Sequence, residues 1–320
     1  MKKAIISGAG GFIGSALTRL LLRDGVEVLA LGKRDESEVN PLRLPQDPKL
    51  TYLKLDMKDI EQLPKLLKEL KWEAKDSVFY HFAWGGKNGL SDLIVEDQYA
   101  NVLYSINAFK TANELKCKKF IHVGTMEEAF VAPYLELDYH KEKHYNRHVI
   151  YALAKKATRD FLKAISKTLY TELIIATKSH VIGPNDSRDS FLLVVLQKII
   201  NGEKIEMTSG EQRFDAIFVT DCVKAFKIIG EKGNKNREYW IGSGNPRRLR
   251  EYIERIAKLY PPKEPIEFGK LSYSDVMLDE EVFSPKLLNE ELNFKCETSF
   301  EEAINSLYKW LKFKEIEEYL

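Results

Sequence analysis

Cysteine is scarce in this chain, net charge is nearly absent and no apolar run is long; each shortage removes a class of protein. The three cysteines, Cys117, Cys222 and Cys296, are scattered and odd in number, with no C-x-x-C pair. That excludes a disulfide framework and reads as reduced, buried thiols in a cytoplasmic protein. No apolar stretch approaches the ~20 residues of a membrane span. The longest, such as Phe191–Leu196, suit a buried helix. A net charge of +1 with 30% charged residues leaves no basic field to recruit nucleic acid or an anionic membrane surface. Repeats, low-complexity tracts and long linkers are missing too. Met1-Lys2-Lys3 ahead of an apolar run imitates a signal peptide, but glycines interrupt that run and no small-residue cleavage site follows.

What is present suffices for a sizeable core: 320 residues, 44% of them hydrophobic, suit two domains or one domain with a lobe. The opening residues MKKAIISGAGGFIGSA carry the densest signal. A β-prone run, Ala4-Ile5-Ile6, meets Gly8, Gly11 and Gly14 and then the helix-compatible segment Ser15–Leu22. This is a strand, a tight turn and a helix N-terminus. Glycines let backbone approach a pyrophosphate and helix pack close to strand. The free N–H groups and the positive end of the helix dipole then face the phosphates.

Up to residue 180 short apolar runs alternate with amphipathic segments. The runs are Ala4–Ile6, Glu27–Leu31, Tyr52–Leu55, Val78–Phe82, Phe120–Val123 and Leu173–Ala176; Ile60–Leu70 and Asn101–Leu115 have helical spacing. Strands alternating with helices predict an α/β fold, a doubly wound parallel sheet with helices on both faces. Beyond His180 the rhythm breaks into a helix near Phe191–Asn201, a strand-like Asp215–Val219 and a glycine turn at Gly242-Ser243-Gly244. Residues 1–180 are therefore expected to form the dinucleotide-binding domain, with a return of the chain around 213–242. Residues 181–320 form a smaller substrate-binding lobe at the sheet's carboxyl edge. A last helix is expected to start near Thr298 or Ser299, with Glu301 or Glu302 completing a capping box. Its stripe would be Phe300, Ala303, Ile304, Leu307 and Leu311.

Tyr151-Ala-Leu-Ala-Lys155 lies in a helical segment, so tyrosine and lysine share one face, a turn apart. A tyrosine holds its proton at neutral pH, and a nearby ammonium stabilises the phenolate and makes proton exchange feasible. Upstream, the strand Phe120–Val123 ends in Gly124-Thr125, a hydroxyl at a strand's carboxyl end. Alone, Tyr-x-x-x-Lys is ordinary surface chemistry; with the glycine turn and Thr125 it becomes the leading site. His140, His144 and His148 recur at four-residue spacing, but lysines and tyrosines surround them and no carboxylate or cysteine completes a set, so no metal site is expected.

At these residues the chain resembles the extended short-chain dehydrogenase/reductases, the nucleotide-sugar epimerases, dehydratases and ketoreductases. The resemblance spans nearly the whole length: G-x-x-G-F-I-G at Gly8–Gly14, Asp56, Tyr80-His-Phe-Ala83, Asn101 opening a helix, Thr125, Tyr151 with Lys155, Gly183-Pro184, Asp215–Asp221 and Tyr239–Gly244. It implies a Rossmann-type fold and a catalytic trio of Thr125, Tyr151 and Lys155. It implies cofactor contacts from Gly8, Gly11, Phe12, Ile13 and Gly14, from Asp56 and Met57 beside the adenine, and from Phe82, Ala83 and Trp84. Trp84, Thr125, His180 and Arg213 are implied at the substrate. The helices near 101–115 and 151–165 are implied in a homodimer.

Departures from the family pattern narrow the reading. The second strand ends in Gly32-Lys33-Arg34 in place of an acidic residue, which suits a 2′-phosphate and favours NADP(H) over NAD(H). After Thr125 comes Met126-Glu127; methionine cannot donate a proton, while Glu127 could still take one from carbon. Phe214 replaces a common diphosphate-binding arginine, with Arg213 one residue earlier, and Trp84 replaces a usual small residue. The expectation is reduction of a 4-keto-6-deoxy sugar on a nucleotide diphosphate. The alternatives are a nucleotide-sugar 4-epimerase, a 4,6-dehydratase with Glu127 as base, and, more distantly, a non-catalytic NADP-binding regulatory module.

Overall fold

The computed structural model describes residues 1–86, 94–136, 148–186, 190–272 and 276–313. Its first strands run where the apolar alternation places them: β1 (Lys3–Ser7), β2 (Glu27–Gly32), β3 (Leu50–Lys54), β4 (Val78–His81), β5 (Lys119–Thr125) and β6 (Glu172–Lys178). Later strands are β7 (His180–Ile182), β8 (Arg213–Phe214), β9 (Ala216–Phe218), β10 (Glu238–Ile241) and β11 (Arg247–Arg248). A seven-stranded sheet takes the order β10-β6-β5-β4-β1-β2-β3. The ladders β3·β2, β2·β1, β1·β4 and β4·β5 are all parallel. The chain thus winds outward from β1 to β3 and restarts at β4, so the carboxyl ends of β1 and β4 flank the switch point where such sheets bind ligands.

The chain divides into two compact units. The first comprises Met1–Val131, Arg147–Thr177 and Val223–Tyr239. Its helices are α1 (Phe12–Arg23), α2 (Leu63–Leu70), α3 (Val95–Glu114) and α5 (Val149–Ile165), and α3 packs on α5. Two expectations need correction. The segment Ile60–Leu70 is not one helix: a 3-10 turn, Met57–Gln62, precedes α2, where Pro64 occupies the first turn and lacks an N–H to give. Asn101 does not open its helix, which begins six residues earlier at Val95. The core under α3 is aromatic, with Phe120 centred 5.3 Å from Phe79 and 5.0 Å from Phe109.

The second unit comprises Ala132–Asn146, Lys178–Cys222 and Trp240–Leu320. It contains the pairs β7·β9, parallel, and β11·β8, antiparallel, with helices α6 (Phe191–Asn201), α8 (Leu249–Leu259), α9 (Lys286–Leu292) and α10 (Phe300–Phe313). The short helix α4 (Val131–Leu135) and α7 (Val219–Lys232) straddle the division. Ser299 and Glu302 close the capping box of α10, whose Leu311 is half-buried while Phe300, Ala303, Ile304 and Leu307 are buried. Asp215 is fully buried here. It accepts from the Ser179 hydroxyl at 2.9 Å, the Ser243 backbone N–H at 2.7 Å and the Ser243 hydroxyl. Burial raises its pKa, with the Ser243 and Ser179 hydrogen bonds working against that rise. Cys117 and Cys222 are buried thiols as expected, but Cys296 is half-buried, its Sγ 3.2 Å from Asp221. No helix among the described residues is long and apolar enough to cross a membrane.

Candidate active site

The glycine turn is built as its spacing suggests. Gly8 has φ +71°, a left-handed conformation, and a Cβ there would come within 2.9 Å of the Ala83 backbone nitrogen. The Gly11 N–H closes the turn onto the Gly8 carbonyl at 2.9 Å. A Cβ on Gly14 would strike that same carbonyl. Gly11 is the N-cap of α1 and offers its first N–H groups no side-chain acceptor. A cradle that side chains would fill, with unclaimed donors at a helix N-terminus, fits a dinucleotide pyrophosphate. Phe12 and Ile13 are buried in the first turn of α1.

At the end of β2, a side chain on Gly32 would collide with the Tyr52 hydroxyl, which donates to the Arg34 carbonyl at 2.8 Å. A side chain at that strand end would have to displace the Tyr52 ring from its contact with Arg34. Lys33 and Arg34 are exposed, while the neighbouring Asp35 is engaged by Lys54 at 2.7 Å. Asp56 caps the following 3-10 turn, accepting from the Lys58 N–H at 3.1 Å, with Met57 half-buried beside it. A residue that spacing gave no hint of, Arg43, donates to the Gly10 carbonyl at 2.8 Å.

Beyond β4 the chain is fastened to α3. Asn101 accepts from the Gly85 N–H at 2.8 Å and donates to the Gly85 carbonyl at 2.9 Å. The Trp84 indole N–H donates to Gln98 Oε1, also at 2.8 Å. The Phe82 ring turns the other way, edge-on to Phe226 at 4.9 Å, so its side chain serves packing. Behind Ala83, His81 Nε2 lies 3.0 Å from Ser105 Oγ and Nδ1 lies 2.8 Å from Ser7 Oγ. The Ser105 hydroxyl already donates to the Asn101 carbonyl, so Nε2 carries the proton and Nδ1 accepts from Ser7.

At the carboxyl end of β5, Thr125 caps the 3-10 turn Met126–Phe130, and its N–H donates to Glu128 Oε1 at 2.8 Å. The two neighbouring glutamates are sorted by charge. Glu128 meets Arg159 of α5 at 3.2 Å, and Arg159 also grips Glu238 of β10. Glu127, 9% exposed, lies 3.1 Å from His148 Nδ1. His148 is the N-cap of α5, three residues ahead of Tyr151. Lys155, 5% exposed, donates to the Val123 carbonyl at 3.1 Å, and its ammonium lies 3.8 Å from the centre of the Trp84 ring. The same indole meets the Tyr151 ring edge-on at 6.0 Å. Burial, with Lys155 adding, pushes the His81 pKa down to about 3 and drives that of His122 well below the ordinary value. Both therefore back the lysine as neutral rings.

Thr125, Glu127, Tyr151, Lys155, Ala83 and Trp84 thus come from one unit and gather around the ends of β4 and β5 and the start of α5. His180 and Arg213 belong to the second unit. There the His180 ring stands edge-on to Phe214 at 5.8 Å, and Arg213 binds Glu280 at 2.6 Å. Of the three evenly spaced histidines, His140 and His144 lie outside the described residues. Among the described residues no group of three or more His, Cys, Asp or Glu could hold a metal ion. His148, Gln98 and Arg43 were not singled out by sequence for these contacts. Only His148 had a visible signal, its place one helical turn before Tyr151.

A cradle for a dinucleotide and a Thr–Tyr–Lys trio on a doubly wound sheet describe a nicotinamide-dependent oxidoreductase. The model of the NAD dependent epimerase/dehydratase family matches residues 4–242, and the chain belongs to that family. It is an enzyme, as the family's members are, which sets the binding-module reading aside. Among curated relatives it is similar to the CDP-abequose synthase of Salmonella muenchen, 26% identical over 322 residues and 98% of both chains. The dTDP-4-dehydro-6-deoxyglucose reductase of Escherichia coli is 25% identical over 326 residues, 97% of this chain and 98% of the relative. The fold is that of a UDP-N-acetylglucosamine 4-epimerase from Methanobrevibacter ruminantium M1, solved with UDP-N-acetylmuramic acid. The TM-score is 0.77 at 21% identity, covering 98% of this chain and 99% of that one.

Proposed function

We propose that this enzyme reduces the 4-keto group of a 4-keto-6-deoxy sugar carried on a nucleotide diphosphate, with NADPH. The observation that carries the reading is the state of the residues after Thr125. Met126 has no proton to give and the Glu127 carboxylate is held by His148, whereas water elimination needs an acid and a free base together. The relative named as a 4-dehydro-6-deoxy sugar reductase, matched almost end to end, supports it.

A bound nicotinamide supplies the hydride. Thr125 hydrogen-bonds the substrate carbonyl oxygen and Tyr151 gives its phenolic proton to the alkoxide that forms at C4. Lys155 holds the nicotinamide ribose and stabilises the phenolate left behind. Lys33 and Arg34 read the 2′-phosphate at a strand end where Gly32 stands in place of an acidic residue and packs against the Tyr52 hydroxyl. His180 and Arg213, in the second unit, are the substrate contacts that the family resemblance implies. Exposed apolar side chains on α3 (Val95, Tyr99, Leu103) and α5 (Leu153, Phe161) support a homodimer through these helices. Tyr99→Glu/Phe161→Glu should turn a dimer into a monomer in light scattering.

The test is stoichiometry. With a 4-keto-6-deoxy sugar nucleotide, one NADPH should be consumed per product, and replacing Lys33 and Arg34 with alanine should weaken NADPH binding by about 1–3 kcal/mol per lost contact while sparing NADH. Interconversion of hexose nucleotides with no net cofactor consumption would replace this reading with the second. That reading keeps the trio, returns the hydride and makes a 4-epimerase, or a 4,6-dehydratase with Glu127 as base. The near-burial of Glu127 two residues beyond Thr125 is what favours it.

A further inference from the structure

We propose that Trp84 is a positioning residue for proton transfer: its indole, anchored by Gln98, clamps the Lys155 ammonium so that the lysine's charge acts on Tyr151. The inference rests on the assignment of Tyr151 and Lys155 made above. Lys155 as a residue is only 5% exposed, so its charge must be compensated where it lies, since desolvating a charge is costly. The Val123 carbonyl supplies one contact. On another side stands the face of Trp84, whose π-cloud attracts a cation most strongly among the aromatic side chains. The indole is fixed at its far edge. Gln98 is buried on α3, its Oε1 takes the indole N–H, and its neighbour one turn along, Asn101, pins Gly85 by both backbone groups. Trp84 is thus a built wall between α3 and α5. The same indole that covers Lys155 sets the edge against which the Tyr151 ring packs.

Among the described residues, titratable groups face this pair from β4, β5, the turn after β5 and the start of α5. His81 from β4 and His122 from β5 are neutral rings, and the acidic Glu127 is paired with His148 at the start of α5. Glu128, from the turn after β5, is bound to Arg159. The indole therefore adds what no carboxylate here provides, an uncharged counter-surface. It holds the lysine without cancelling the field that favours the phenolate.

The test needs no substrate. The ionisation of Tyr151 is read in the protein as the difference in phenolate absorbance between chains with and without Tyr151→Phe. In Trp84→Leu the freed ammonium takes up water and its field at the phenol weakens, so the Tyr151 midpoint should rise by about one pH unit. Trp84→Phe, which keeps an aromatic face, should shift it by less than half as much. Gln98→Met, which removes the indole's acceptor and leaves the tryptophan, should give an intermediate rise and serves if Trp84→Leu fails to fold. An unmoved midpoint in Trp84→Leu and Gln98→Met, or equal shifts in Trp84→Leu and Trp84→Phe, overturns the proposal. The expected shifts in a protein that fails to reduce a keto sugar would leave the clamp standing and remove only the assigned reaction.

Discussion

Two buried polar assemblies in this enzyme solve opposite problems. In the first unit Ser7, His81 and Ser105 form a neutral chain, with His122 stacked 6.3 Å from His81, behind the ammonium of Lys155. In the second unit Ser179 and Ser243 surround one carboxylate, Asp215. The first assembly keeps titratable rings uncharged so that a cation can act on its neighbour. The second satisfies an acid so that the loop at Gly242-Ser243 keeps its shape. In a list of motifs Tyr151, Lys155 and Asp215 look alike; by their partners, the first two belong to the candidate site and Asp215 to a hydrogen-bonded framework.

The contrast breaks most visibly at Tyr151. Tyr151→Phe loses a hydroxyl, so it should fold and bind cofactor normally while turnover falls by ~10²–10⁴. Wild-type turnover on an identified substrate would remove the tyrosine from the chemistry. Asp215→Ala should do the reverse. It strips the acceptor from two serine hydroxyls and a backbone N–H, and should cost about 2–4 kcal/mol in urea unfolding with nicotinamide-cofactor affinity kept. Lost turnover at unchanged stability would make Asp215 more than framework.

The neutral rings give a pH signature. The folded pKa of His81 sits near 3 against 6.5 for a free histidine, and His122 is depressed as well. Such groups gain their protons on unfolding. Their contribution is therefore complete above about pH 6.5 and is lost as pH falls toward 3, by at most about 1.4 kcal/mol per pH unit for each ring. Both ring nitrogens of His122 lack a partner among the described residues, so His122→Phe should fold and lower the slope of urea stability against pH by up to about 1.4 kcal/mol per pH unit. An unchanged slope would mean that His122 is already hydrated. The smallest effect is expected at Glu127. Its amide in Glu127→Gln still meets His148, so turnover should change by less than about tenfold, or ~1.4 kcal/mol. A loss of ~10²–10⁴ would promote the dehydratase reading.

The fold was largely legible. Alternating apolar runs locate β1 to β6 because burial on both faces of a parallel sheet demands such runs. The α6 helix spans the residues its spacing indicated, and Ser299 and Glu302 announce α10 three residues apart. The chain rejoins the large sheet at β10, which lies at its edge. Of the candidate site, the parts within one turn or one helix could be read: Gly8–Gly14, Thr125 with Glu127, and Tyr151 with Lys155. The parts that could not be read join residues far apart in the chain. Arg43 reaches Gly10 across 33 positions and Glu127 meets His148 across 21, contacts that only the assembled tertiary structure creates. The spacing of His140, His144 and His148 pointed along one helix, yet the partner of His148 came from another element.

Arg159 ties these observations to the way such an enzyme can change. One guanidinium on α5 holds Glu128, in the turn that Thr125 caps, and Glu238 at the sheet's last strand. The helix bearing Tyr151 and Lys155 and the turn bearing Thr125 are therefore fastened at Arg159 as well as at His148. Positions 128 and 159 are then epistatic. Loss of Arg159 strands the carboxylate of Glu128 in a nearly buried place, whereas loss of Glu128 leaves Arg159 its pairing with Glu238. A change at 159 is therefore tolerated best once Glu128 has already gone, so the order of the two substitutions matters.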